Sequence, residues 1–163
     1  MNAAATGAPN GAPTPGLAWA FTIDAEIAAP RSAGPAPHGE RLHIAITGGR
    51  VHGPRLSGRV LPGGSDWPLI GPDGNSRIEA AYSIEAADGA LIFVRNRGIR
   101  VSSAETLAAL RRGEAVAPGA VYLRAAPVFD APDGPHAWLR ERLFVSVVSP
   151  GKTAVQVDVY EVL

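Results

Sequence analysis

Arg77-Ile-Glu-Ala-Ala-Tyr-Ser-Ile-Glu85, Asp88-Gly89, and Ala90-Leu-Ile-Phe-Val-Arg-Asn-Arg-Gly-Ile-Arg100 are the residues that decide the fold. In the first run Ile78, Ala80, Tyr82 and Ile84 alternate with Arg77, Glu79, Ala81, Ser83 and Glu85, the period of a strand with one covered face. In the second, Ile92, Val94, Asn96 and Gly98 share one face, and Leu91, Phe93, Arg95 and Arg97 the other. Asp-Gly between two such runs marks a hairpin, and strands joined by so short a turn are antiparallel.

The same period extends in both directions. In Leu17 to Ala28, Trp19, Phe21, Ile23, Ala25 and Ile27 stand opposite Thr22, Asp24 and Glu26. Arg41 to Val51 carries Leu42, Ile44 and Ile46 on one face, and Gly48-Gly49 marks a bend or bulge near its end. Leu56 to Leu61, Val121 to Phe129, Ala137 to Val148 and Thr153 to Leu163 complete the strands, with Trp138, Arg140 and Arg142 expected on one face. One segment reads as helix: Ser102 to Glu105 has capping-box spacing, and Thr106 to Arg112 runs on to Gly113. Pro30 to Glu40 reads as a loop. Met1 to Gly16 is uncharged and rich in alanine, proline and glycine, which predicts a disordered tail ahead of a domain over residues 17–163.

These runs predict an all-β chain of about eight strands and one short helix. Eight strands can close into a barrel whose interior fills with side chains or holds one small ligand, and closure removes exposed edges. Alternation alone does not separate a closed antiparallel barrel from a two-sheet sandwich.

The totals narrow the function. The chain has 163 residues, with 15 basic and 15 acidic side chains. A balanced charge gives no electrostatic reason to expect nucleic acid or an anionic membrane as partner. Absence of cysteine excludes disulfides and thiolate metal sites. No apolar run is long enough to span a bilayer, and the start lacks a basic stretch followed by an apolar one, so a soluble cytoplasmic protein is expected.

Leu61-Pro-Gly-Gly-Ser-Asp-Trp-Pro-Leu-Ile-Gly-Pro-Asp-Gly74 is too rich in turn residues for a plain strand, and it reads as a long functional loop. Within it Asp66 sits beside Trp67. A carboxylate against an indole is partly desolvated, which suits it to general acid–base work. Asn96 and Arg97 follow: alternation sends them to opposite faces, and an inward Asn96 could hold a carbonyl or enolate oxygen. Tyr82, Arg124 and Trp138 form a looser set. Tyr82 reads first as a core tyrosine, and Arg124 would bind a carboxylate or phenolate if it faced the lumen. His38, His43, His52 and His136 lack metal-motif spacing, so neither metal nor other cofactor is expected. No phosphate-binding loop or nucleophile elbow is present.

Gly48-Gly49, Gly53-Pro54, Gly58, Leu61-Pro-Gly-Gly-Ser-Asp-Trp67, Asp73-Gly74, Ala81-Tyr82, Asp88 to Gly98, Trp138-Leu139 and Val159-Tyr-Glu-Val162 together resemble the uncharacterised DUF3237, or UPF0311, family over roughly Leu17 to Leu163. The resemblance implies a single β-barrel domain that forms a homo-oligomer, and implies little about reaction. The alanine- and proline-rich tail departs from the pattern, as does alanine at 125 or 126 where a threonine is usual.

Three functional readings follow. The first is a cofactor-free isomerase, hydratase or lyase acting on a small aromatic or polyketide-like molecule. Asp66 would move the proton, Asn96 or Arg124 would hold an oxyanion, and Trp67, Tyr82, Arg97 and Trp138 would line the ligand site. The second is a carrier barrel without turnover. The third is a structural subunit.

Overall fold

The computed structural model describes residues 10–117 and 119–163. In chain order the strands are β1 (Leu17–Ile27), β2 (Arg31–Ala36), β3 (Gly39–His52), β4 (Gly58–Val60), β5 (Gly64–Asp66), β6 (Leu69–Ile70), β7 (Ser76–Ala86), β8 (Leu91–Ser102), β9 (Val121–Asp130), β10 (Phe144–Pro150) and β11 (Ala154–Val162). Two helices accompany them, α1 (Ala104–Arg111) and α2 (Trp138–Glu141). Around the wall β1 is followed by β11, β10, β9, β8 and β7, then by β4, β5 and β6, and then by β3. The three short pieces lie end to end as one broken strand between β3 and β7. Antiparallel pairing of β3 with β1 closes the ring, so the chain is an eight-stranded antiparallel β-barrel and not a sandwich. β2 lies outside the ring, on β3.

The hairpin that predicts the fold forms as expected. Tyr82 pairs with Val94 and Ala80 with Asn96. At the turn Asp88 Oδ1 accepts the Ala90 N–H, and Gly89 takes the positive φ of 86° that the turn needs. Burial follows the period: β8 alternates exposed and buried from Leu91 to Arg97, and β9 does so from Tyr122 to Asp130.

Three segments differ from the sequence reading. The 61–74 stretch is not a loop at the barrel mouth, because Gly64–Asp66 and Leu69–Ile70 hydrogen-bond to both neighbours and form part of the wall. Pro30 to Glu40 contains β2. Ala137 to Val148 is a short helix followed by β10: Leu139 turns inward, fully buried, while Arg140 reaches out to the Ala131 carbonyl and Asp133. A strand there would place Trp138 and both arginines on one face. The helical turn separates the apolar pair from the charges. The helix α1 starts one residue later than its capping-box spacing suggests, with Ser103 Oγ accepting the Thr106 N–H.

Aromatic rings fill the barrel end beside α2. Phe21 meets Phe129 edge-on at 5.7 Å, and Phe144 meets Phe129 at 5.2 Å and Trp138 at 5.5 Å. The Arg55 guanidinium lies 3.8 Å over the Trp138 ring. Of the tail expected over residues 1–16, residues 1–9 lie outside the described residues, and residues 10–16 are exposed and carry no helix or strand. Among the described residues no helix is long and apolar enough to cross a membrane.

Closure depends on close approach of β1 and β3. Gly49 faces Ala25 at a φ of 133°, and a Cβ there would lie 2.0 Å from the Asp24 carbonyl oxygen. Gly49→Ala should therefore destabilise the barrel by about 2 kcal/mol or more, read as a drop in thermal unfolding temperature. An unchanged transition would mean that the closure tolerates a side chain at this position.

Candidate functional site

The site is built from one row of the barrel wall. Ile44 of β3 pairs with Asp66 of β5, Asp66 with Ala80 of β7, and Ala80 with Asn96 of β8. Residues paired across neighbouring strands point to the same face, so Asp66, Ala80 and Asn96 share one level of the lumen. Two strand spacings separate Asp66 from Asn96, about 10 Å between Cβ atoms. Ala80 between them contributes only a methyl group. Tyr82 stands two residues along the same inward face of β7. The rest of the lining is aliphatic: Ala25, Ile27, Ile44, Ile46, Ile78, Val148, Val155 and Val157. Ile27, Val148 and Val155 lie at or near strand ends, which places the cavity at the end of the barrel away from the aromatic plug.

The cavity measures about 70 Å³. Pockets that enclose a whole small-molecule ligand run to about 300–1,000 Å³. The lumen as it stands takes a small group or a few waters, and the rest of any larger ligand would project from the mouth.

The three polar groups differ in chemistry. Burial pushes the Asp66 carboxyl above the ordinary carboxylate value. The backbone N–H groups of Glu79 and Trp67 hold that rise back, and the Glu79 charge adds to it. The Glu79 N–H reaches Asp66 Oδ1 at 3.2 Å. Burial, and then the Asp66 charge, push the Tyr82 hydroxyl above its usual range, so it stays protonated and able to donate. Asn96 is 4% exposed, and its Oδ1 has no hydrogen-bond partner. Such a group costs about 1–3 kcal/mol unless something supplies a donor.

Of the seven residues singled out from the sequence, Asp66, Tyr82 and Asn96 converge on the lumen. The other four do not. Trp67 follows Asp66 in a strand and so faces outward, stacked on His43 at 6.1 Å and 8°. His43 Nε2 in turn lies 2.9 Å from Ser65 Oγ. Arg97 and Arg124 sit on the outer wall, with the Arg124 guanidinium 5.3 Å from the Tyr122 ring centre. Trp138 belongs to the plug at the opposite end. Ala80 was missed. Its signal is a small residue on an inward face between Ile78 and Tyr82, visible only once the three strands are in register. Among the described residues no three His, Cys, Asp or Glu side chains gather as a metal site.

The geometry defines a class: a closed antiparallel barrel with a small end cavity whose lining is apolar apart from one carboxyl, one phenol and one amide. A family described as "Protein of unknown function (DUF3237)" matches residues 15–162, and the chain belongs to that family. A UPF0311 protein of Rhodopseudomonas palustris is 40% identical over 151 residues, 93% of this chain and 99% of that protein. Its crystal structure superposes with a TM-score of 0.85. A β-barrel-like protein of Acinetobacter baumannii is 31% identical over 93% of this chain and 98% of its own, with a TM-score of 0.82. A crystal structure described as an enzyme from Penicillium herquei, 22% identical over 93% of this chain and 98% of its own, shares the fold at a TM-score of 0.68.

The raised pKa of Asp66 has a consequence for stability. The folded protein holds this proton more tightly than the unfolded chain does. As pH rises from the ordinary carboxylate value of 3.8 through the folded value, the unfolded state loses its proton first and folding stability falls. The loss is complete above the folded value and absent below the ordinary one. Asp66→Asn should therefore unfold at a higher temperature than the natural protein at neutral pH, with the difference vanishing near about pH 3. A variant less stable at pH 7 would contradict the desolvated-carboxyl description.

Proposed function

We propose that the protein is a cofactor-independent enzyme that moves a proton on a small aromatic or polyketide-like molecule whose tip enters the lumen, as an isomerase, hydratase or lyase does. The observation that carries this reading is the row Asp66–Ala80–Asn96, with a desolvated carboxyl and an unpartnered amide oxygen on the same lumen face and only an alanine between them.

Each group has a role that its environment supports. Asp66, whose pKa burial raises above the ordinary carboxylate value, is a stronger base than an exposed aspartate would be. Asn96 can present its donor or its acceptor to a ligand oxygen, because an amide offers both. Tyr82 donates to developing negative charge. Trp67, Arg97, Arg124 and Trp138 take no part, since none reaches the lumen. The likeness to an enzyme from Penicillium herquei agrees with a catalytic use of the fold and says nothing of substrate. A carrier without turnover is the second reading, favoured by a lining that is aliphatic apart from three side chains.

Solvent-deuterium incorporation separates the two. The natural protein, incubated in D₂O with a panel of hydroxylated aromatic ketones and followed by NMR, should exchange hydrogen at carbon beside a carbonyl for at least one member. Asp66→Asn should lower that rate by about 10²–10⁴-fold while the circular dichroism spectrum stays unchanged. Ala80→Leu, which fills the gap, should abolish both exchange and binding. A ligand that binds without exchange, and equally well to Asp66→Asn, would establish the carrier instead.

A further inference from the structure

The outer wall of β8, β9 and β10 carries three arginines that form no ion pair among the described residues, although Glu79, held by Arg41, stands opposite Arg97 in register. Several arginines elsewhere are held by carboxylates: Arg41 by Glu79, Arg50 by Asp24, Arg59 by Glu85 and Arg140 by Asp133. Arg95, Arg97 and Arg124 form no ion pair with any described carboxylate, in a chain whose formal net charge is zero. They are set among large apolar side chains left in solvent. Phe93 is 38% exposed, Tyr122 52%, Val128 57% and Val145 36%. Strand register makes this one surface, since Arg95 lies beside Val128, and Arg97 beside Ala126. Between Arg97 and Arg124 runs an open groove of about 440 Å³, floored by Ala126 and walled by Tyr122 and Val145.

We infer that this wall docks a partner protein whose contacting face presents carboxylates among apolar side chains. Arginine and aromatic residues are what interface centres concentrate, whereas lysine and glutamate are depleted there. On β8 and β9 the outward positions from Leu91 to Val101 and from Tyr122 to Asp130 include no lysine or glutamate and one aspartate, Asp130. A guanidinium flanking a groove binds a carboxylate through two parallel hydrogen bonds, and the apolar neighbours exclude water from that pair. A second copy of this chain fits worse, because two such walls face to face oppose six guanidiniums with two carboxylates. Nucleic acid fits worse too: three cations neutralise few phosphates, and Val128 and Val145 would meet nothing that stacks. The lumen site plays no part in this surface.

Fluorescence anisotropy on the full chain tests the inference with four labelled probes of equal length: an alternating Glu/Val peptide, a Lys/Val peptide, a Glu/Ser peptide and a single-stranded oligonucleotide. The Glu/Val peptide should bind, more weakly as salt rises, with the Glu/Ser peptide about tenfold weaker and the Lys/Val peptide not binding. Arg97→Gln with the charge reversal Arg124→Glu, both exposed positions, should weaken Glu/Val binding by about tenfold or more without moving the unfolding temperature; Gln at 97 avoids setting a second carboxylate opposite Glu79. Asp66→Asn should bind the peptide as the natural protein does. Tighter binding of the oligonucleotide, peptide binding that survives the charge reversal, or a dimer in light scattering that Val145→Asp dissociates would each overturn it.

Discussion

The pairing of β1 with β3 is the contact on which everything else depends. Without it the sheet has two free edges and its inward faces meet water. With it, six registered pairs from Thr22–His52 to Ile27–Ile46 close the ring. The approach is close enough that glycine is required opposite Ala25. Closure is also an electrostatic event. It turns the inward face of β5 from a wet surface into a low-dielectric interior, and that desolvation is the largest influence on Asp66.

The two ends of the barrel divide the work. At one end four ring contacts among Phe21, Phe129, Trp138 and Phe144 lock together under α2. Each edge-on pair contributes about 0.5–1.5 kcal/mol beyond the area it buries. At the other end an unpaired Asn96 oxygen costs about 1–3 kcal/mol, and a desolvated carboxylate adds to the deficit at neutral pH. The magnitudes are comparable, so the plug can offset a lumen that local stability alone would not select. Folds keep such costs at places where something binds or reacts.

The alternation of the hairpin and of β9 was legible because period-two burial is local: each residue's face follows from its neighbours in the chain. In β1 it breaks at a register shift between Trp19 and Phe21, which leaves Trp19 exposed rather than on the inward face expected for it. The same rule grouped Tyr82 with the core-facing residues and set Asn96 and Arg97 on opposite faces, without saying which of the two is inward. It also separates Asp66 from Trp67, and the two stop looking like one site once Gly64–Asp66 is recognised as wall. That recognition fails in sequence because glycines and prolines break the strand into three pieces, each too short to show a period. Their identity comes from hydrogen bonds to β3 and β7, which are non-local. Ala80 stayed hidden for the same reason. An alanine on a strand face means little until register puts a carboxyl on one side and an amide on the other. At Trp138 the period misled, since a single helical turn over four residues leaves too few positions to distinguish it from a strand.

The placement of arginine links the interior to the surface. A guanidinium beside Asp66 would favour its ionised form and oppose the rise that burial causes. None lines the cavity. On the outer side of the same wall, Arg41 has its Nη1 committed to Glu79 and to the Trp67 carbonyl, each at 2.7 Å. Glu79 thus does two things: its side chain neutralises that arginine outside, and its backbone N–H orients the carboxyl inside.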